Sequence, residues 1–193
     1  MSEIWQTISY LESTSGQHQI GLCTQNVLWS DAKVFANNSE SAGNALMYAI
    51  TERAQQMIKG QSFESPVDLL DEILPEVYAY AKKVTSNPNL RKTFALNALV
   101  GVDNALWLLY AQENGFKTFD DMIPKAYKPS LSHNHEKAAA IPLMAYTIPI
   151  DEIKTAVDEG YFFMKIKIGQ PGTQAEMLEK DKARLSAIHK AIG

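Results

Sequence analysis

The sequence is short of cysteine: among its 193 residues it has one, Cys23. A single cysteine cannot form a disulfide within the chain, and such a thiol most often serves as a small apolar core residue. The N-terminal residues, Met-Ser-Glu-Ile-Trp, also lack the basic-then-apolar order of a signal peptide. Both features fit a reducing compartment, and we expect a cytoplasmic protein.

The sequence also lacks an excess of positive charge and long apolar runs. Lys and Arg number 18 against 22 Asp and Glu, which gives a formal net charge of -4. This balance favours neither nucleic acid nor an acidic surface as a partner. No uninterrupted apolar run approaches the ~18 residues of a membrane span, so no membrane partner is expected. With 46% hydrophobic residues, a chain of this length can bury a core without disulfides or bound metal ions.

Clusters of metal-ligating residues are scarce as well. His133 and His135 could present two imidazoles, but no cysteine or carboxylate cluster nearby completes a coordination set. A solvated loop is the favoured interpretation of this pair. We therefore assign no metal ligand to this chain.

The N-terminal part has the pattern of a hairpin followed by helices. Alternating segments at 4–10 and 20–24 flank a turn-rich stretch at 13–17, which predicts a β-hairpin. A helix is predicted over 40–59, and another begins at Ser65-Pro66. Pro75 lies inside the second helix, so we expect a kink there or a break into two short helices.

The strongest helical pattern runs from Leu90 to Asn114. Its apolar residues recur at intervals of three and four and form one stripe: Ala95, Leu99, Val102, Leu106 and Leu109. Asp103, Asn104 and Trp107 lie on the same helix, and we interpret them as helix-packing residues rather than a site.

A change of composition between Lys125 and Ala139 predicts a linker, and we place the domain boundary after residue 128. The C-terminal part then alternates strand, helix, strand and helix, over 141–148, 151–159, 162–168 and from 174 on. Short connections in this order predict parallel β/α units. The last helix opens with a Thr173–Glu176 capping box, and four of its residues are predicted to face the core: Met177, Leu185, Ile188 and Ile192.

The second of these strands carries two lysines. Because side chains alternate along a strand, Lys165 and Lys167 share one face, while Met164, Ile166 and Ile168 share the other. Alone, this alternation favours a half-solvated strand whose lysines face water. In a parallel β/α unit both faces are covered, so there we expect the lysine face to be interior.

These motifs resemble the enolase superfamily, in its mandelate racemase and muconate lactonizing branch. Asn97–Trp107, followed by Gly115, is similar to the helix that ends that family's capping domain. Glu159–Gly169 resembles its Lys-x-Lys strand and the turn before it, and Leu108 departs from the acidic residue that many members carry. The resemblance implies an α+β capping domain over 1–128 (a β-hairpin plus helices), followed over 129–193 by the start of a parallel (β/α)8 TIM-type barrel.

The resemblance also implies a reaction. Members use Mg²⁺ and a lysine or histidine base to remove the proton next to a substrate carboxylate. By resemblance, Lys167 is the proton-transferring base, and Lys165 holds the substrate carboxylate and makes its neighbour easier to deprotonate. The chain stops at Gly193 after two of eight β/α units. The Mg²⁺ ligands are therefore expected downstream, and this chain alone is expected to be inactive.

The predicted function is a fragment of a Mg²⁺-dependent lyase or isomerase acting on a small carboxylate, with an acid-sugar dehydratase or racemase favoured. Trp29 and Asp31 are further candidates for substrate contact, and an ordinary loop role is an equal alternative for both. We expect either a homo-oligomer or association with the remaining C-terminal part. The alternative function is a non-catalytic capping or regulatory module that binds a small molecule or another chain.

Overall fold

The computed structural model of the chain describes residues 3–131, 133 and 135–193. They divide after Leu131 into an N-terminal unit and a C-terminal unit, each with its own buried cluster. The fold is mixed α+β, as predicted. An antiparallel hairpin packs on helices in the N-terminal unit, and a two-stranded parallel sheet lies with helices in the C-terminal unit.

The hairpin consists of β1 (Trp5–Glu12) and β2 (His18–Gln25), as the alternating segments predicted. Trp5 lies opposite Gln25 and Glu12 opposite His18, so all eight residues of each strand are in register. Gly16 closes the turn with a φ of +84°, a left-handed conformation that glycine adopts without a Cβ penalty.

Helices make up the rest of the N-terminal unit. They are α1 (Val27–Ser30), α2 (Ala32–Asn37), α3 (Glu40–Ile58), α4 (Pro66–Val84), α5 (Lys92–Asn114) and α6 (Phe119–Met122), followed by a 3-10 turn at Lys128–Ser130. The side chains of Ser39 and Ser65 cap α3 and α4, as predicted.

Helix α4 is continuous through Pro75, so of the two predicted outcomes the break into two short helices is wrong, and the kink stays a prediction. Proline removes the hydrogen bond that residue 75 would donate to the carbonyl of Asp71. Both residues are exposed, and water can therefore satisfy that carbonyl. Leu69, Ile73 and Val77 on the opposite face remain buried and hold the helix together.

Helix α5 is the centre of the N-terminal unit. The whole predicted stripe from Ala95 to Leu109 is buried, and α5 contacts the hairpin, α3 and α4. By length and composition α5 could also cross a membrane, although half of its most apolar segment is buried inside the unit. A helix surrounded by packing partners needs apolar residues on most of its sides, which accounts for this composition.

The hairpin contacts α5 through its small residues. Ser9, Gly21 and Cys23 are buried on the inner face, where a Cβ added to Gly21 would lie only 1.9 Å from the carbonyl oxygen of Gly101. Burial raises the pKa of the Cys23 thiol, as expected for the predicted core cysteine. The absence of side chains at Gly21 and Gly101 lets the strand and the helix approach at backbone distance.

The C-terminal unit contains β3 (Leu143–Met144), α7 (Ile150–Asp158), β4 (Lys165–Ile166) and α8 (Gln174–Ile192). Strands β3 and β4 are parallel, as the strand–helix alternation predicted, but both are shorter than expected. Helix α8 begins at the predicted capping box. Its predicted core face is wrong in part, because Leu185 and Ile192 are exposed. Two short strands offer too little sheet to cover them.

Candidate functional site

The lysine pair lies at the end of the short parallel sheet. Lys165 of β4 is opposite Leu143 of β3, and Ile166 is opposite Met144. The Lys165 amide donates to the carbonyl of Pro142 at 3.0 Å, and the Lys167 amide donates to that of Met144 at 2.9 Å. The backbone of both lysines is therefore fixed by the parallel partner strand.

Apolar packing determines which way the lysines face. Met164 and Ile166 pack against the buried cluster of the unit, which consists of Met144, Ile153 and Ile188. Residues on either side of Ile166 point to the opposite face of a strand, so Lys165 and Lys167 lie away from α7 and α8. This is the arrangement that the alternation predicted.

The lysine face is nevertheless not interior in the residues described. Lys165 is exposed, and Lys167 is half-buried. A parallel strand is covered on both faces only when a second layer lies across it. Within the C-terminal unit the helices supply one such layer, on the side of Ile166, and the expected burial of the lysines is incomplete for that reason.

Polar contacts from α8 hold the loops that follow the two strands. The Arg184 guanidinium donates to the carbonyls of Ala145 and Ile148, at 2.9 Å and 2.8 Å. The Asp181 carboxylate accepts from the Gly169 amide at 2.7 Å. Sequence reasoning missed both residues, although their spacing with Ile188 on one face of α8 could have indicated them.

Trp29 and Asp31, the predicted substrate contacts, both belong to the N-terminal unit but differ in exposure. Trp29 lies on α1 and exposes 64% of its surface, whereas Asp31 exposes 2%. The Asp31 carboxylate accepts from the amides of Lys33 and Val34, at 2.9 Å and 3.1 Å, and from that of Arg91 at 2.9 Å.

Asp31 therefore caps α2 and ties it to the start of α5. Burial alone would raise its pKa, but the three backbone donors and the positive charge of Arg91 hold the pKa below its ordinary value. These contacts use both carboxylate oxygens. Contact of Asp31 or Trp29 with a substrate stays a prediction.

A further concave surface lies in the N-terminal unit between β2, α5 and α6. It is an open groove of about 830 Å³ with an almost wholly apolar lining, which includes Ile20, Leu22, Trp107, Leu108 and Phe119. Asn104 lies in its wall and donates to the Leu22 carbonyl at 2.9 Å, which supports its predicted packing role. Burial raises the pKa of neighbouring Asp103, and a hydrogen bond from Trp107 partly opposes this.

The residues present do not fit a Mg²⁺ site by themselves. Throughout residues 3–131, 133 and 135–193, no three His, Cys, Asp or Glu side chains come together as a possible metal centre. Magnesium prefers carboxylates, carbonyls and water in octahedral geometry. The described residues therefore supply no set of Mg²⁺ ligands.

The fold and the candidate site define a two-unit α+β protein with a lysine pair on a parallel strand. In the comparison with known proteins, no family model, no curated protein and no solved structure matches the chain. The enolase-superfamily resemblance stays a prediction drawn from the motifs.

Proposed function

We propose that this chain is the N-terminal part of a Mg²⁺-dependent enzyme of the enolase superfamily that removes the α-proton of a small carboxylate substrate. An acid-sugar dehydratase or racemase is the favoured activity. One observation supports the proposal more than any other: Lys165 and Lys167 share one face of a parallel strand whose opposite face packs on helices.

The two lysines would have different roles in the reaction. A lysine acts as a base only when its amine is neutral. In the proposed reaction Lys167 accepts the α-proton as the C–H bond breaks, and the electron pair is delocalised onto the carboxylate. Lys165 holds that carboxylate through a charge-assisted hydrogen bond. Mg²⁺, when bound by residues outside this chain, would stabilise the extra negative charge.

Deuterium exchange tests the proposed base. The α-proton of candidate sugar acids and 2-hydroxy acids is followed by NMR in D2O with Mg²⁺, using the longest polypeptide that the coding sequence encodes. Removal of a general base typically costs a factor of about 10²–10⁴, so Lys167→Ala should reduce exchange by at least ~100-fold. Lys154→Ala removes an exposed lysine of α7 and should leave exchange unchanged. Full exchange by Lys167→Ala would exclude Lys167 as the base.

Lys165→Ala distinguishes binding from proton transfer. Loss of the carboxylate contact should raise KM as well as lower kcat, whereas loss of the base should act mainly on kcat.

The coding sequence offers a simpler check. We expect it to continue beyond Gly193, with Asp or Glu at the ends of the next three strands. Residues 1–193 alone should show no exchange.

The second candidate is a non-catalytic module that binds a small molecule or another chain. The apolar groove favours it, because about 830 Å³ is within the size range of ligand pockets. Exchange by the longest encoded polypeptide that depends on Lys167 would reject this candidate. Absence of exchange in that polypeptide, with Mg²⁺ and every substrate tried, would favour it.

A further inference from the structure

Four large apolar residues of the hairpin lie on the face that points away from the core. The inner face of β1 and β2 contacts α5 through small residues such as Ser9 and Gly21. The outer face carries two cross-strand pairs, Ile8 with Leu22 and Tyr10 with Ile20, and all four side chains are at least half exposed. A soluble antiparallel sheet normally has the opposite arrangement, with apolar residues toward the core and polar residues toward water.

Polar pairs enclose this apolar centre at both ends of the hairpin. Gln6 lies opposite Thr24 at one end, and Glu12 lies opposite His18 at the other. The Gln6 amide donates to the Thr24 hydroxyl at 3.4 Å, and the Tyr10 hydroxyl donates to Glu12 at 3.0 Å. An apolar centre with a polar rim is the composition of a protein–protein interface.

The apolar surface continues beyond the hairpin. Ile20 and Leu22 also line the groove of the N-terminal unit, where they adjoin Leu108 and Phe119. We define the outer apolar face as the six exposed residues that this continuity joins: Ile8, Tyr10, Ile20, Leu22, Leu108 and Phe119.

The size of the face points to a partner. Since a fully exposed large apolar side chain presents roughly 150–250 Å², these six together expose on the order of 700 Å². The largest patch on a typical monomer is about 300–600 Å². Each side of a standard stable interface buries about 800 Å², which this face nearly supplies by itself.

We propose that the outer apolar face is the interface of a homodimer, in which two copies of this chain pack hairpin against hairpin. Its six residues carry no charge, so contact with an identical face brings no like-charge repulsion. A two-fold interface requires one patch to match itself, and an apolar centre with rims at both ends meets that requirement. Two packed sheets about 10 Å apart would interdigitate these side chains. The inference does not depend on the lysine chemistry.

Light scattering coupled to size-exclusion chromatography tests this proposal on residues 1–193 and on the longest polypeptide that the coding sequence encodes. The expected mass is twice that of the polypeptide measured, which is 21.5 kDa for residues 1–193. Leu22→Glu places a charge in the centre and should weaken dimerisation roughly thirtyfold or more, as loss of one hot-spot residue does. Leu178→Glu on α8 is the matched control, because Leu178 is 54% exposed and Leu22 is 57% exposed. Leu178 is not part of the outer apolar face, so this substitution should leave the dimer intact.

Cross-linking decides the outcome if Leu22→Glu fails to fold. Cys23 is buried, so a thiol introduced by Ile20→Cys should be the reactive one on the hairpin. A bis-maleimide reagent, which joins thiols that are not in direct contact, should give a cross-linked dimer for Ile20→Cys and none for Ser186→Cys, an exposed position on α8. A wild-type chain that stays monomeric at high concentration would overturn the proposal. So would a dimer that survives Leu22→Glu, or one in which Ile20→Cys gives no cross-link.

Discussion

At the scale of single residues, Asp31 connects segments that are sixty positions apart in the sequence. Its carboxylate accepts from two amides at the start of α2 and from the Arg91 amide before α5. Charged hydrogen bonds to a helix N-terminus stabilise both the turn and the tertiary contact. The residue therefore contributes to stability whatever its relation to a substrate.

Substitution of Asp31 should cost stability in a pH-dependent way. Asp31→Ala should lower the free energy of unfolding by about 2–3 kcal/mol at neutral pH, because it removes a cap and a charged tertiary hydrogen bond. The folded-state pKa of Asp31 is lowered. Its contribution is thus complete above the unfolded-state pKa of about 3.9 and is lost as pH falls through the lower folded-state value. Urea unfolding of both proteins between neutral and acidic pH measures this.

Ser39→Ala is the control for Asp31. It removes an uncharged cap, whose oxygen accepts from the Ala42 amide at 3.2 Å. Its cost of about 1 kcal/mol should not change with pH, since serine does not titrate. If the difference in free energy of unfolding between wild type and Asp31→Ala also does not change with pH, the role assigned to the Asp31 charge is wrong.

At residue scale the sequence predicted the candidate site unevenly. The shared face of Lys165 and Lys167 follows from the period of a strand, and the structure has that alternation. The contact of Asp31 with the start of α5 could not be predicted, because its donor lies at Arg91 and a cap pattern contains only local residues. For Asp181 and Arg184 the spacing with Ile188 indicates their face of α8, but their partners are loop backbone groups that no sequence pattern identifies.

At the scale of elements, the hairpin and α5 form the closest contact in the N-terminal unit. A methyl group at Gly21 would lie 1.9 Å from the Gly101 oxygen and 2.5 Å from the Ala105 nitrogen, and backbone atoms cannot turn aside. At Gly101 the nearest atoms to such a methyl would be side-chain atoms of Ser9 and Cys23, at 3.2 Å and 3.3 Å. The two glycines should therefore differ in their tolerance.

Gly21→Ala should be much more damaging than Gly101→Ala. Overpacking at Gly21 should cost about 3 kcal/mol, because the whole strand must move away from α5. Gly101→Ala should cost less, since alanine favours a helix interior by about 1 kcal/mol over glycine and offsets part of the crowding. Thermal and urea unfolding of the two variants measure the difference. Equal losses of stability would show that moving the strand away from α5 costs no more than moving the side chains around Gly101.

Local signals predicted most of the elements, and contacts between elements account for the errors. Ser39, Ser65 and Thr173 indicated helix starts because caps are local. Pro75 did not break α4, because the opposite face of that helix is anchored in the core. The alternation in the hairpin identified two strands but could not indicate which face packs, since that depends on the approach of Gly21 to Gly101.

At the scale of the whole molecule, the two units differ in how much core they bury. Among the described residues, the main buried cluster of the N-terminal unit has seventeen members and that of the C-terminal unit has three. Hydrophobic burial is the main source of stability, and small units with little core are marginal. The C-terminal unit should therefore open more easily than the N-terminal one.

Hydrogen exchange followed by mass spectrometry on the full chain should resolve this difference. Amides of α5 should exchange only through global unfolding, whereas those of α8 should exchange through a local opening of lower free energy. Arg184→Ala removes the bonds from α8 to the Ala145 and Ile148 carbonyls, so it should speed exchange in the C-terminal unit and leave α5 unchanged. Equal protection of α5 and α8 would mean that the two units unfold together. In that case β3 and β4 would be more stable than three buried residues can account for. The strand that carries Lys165 and Lys167 would then open only when the whole chain unfolds.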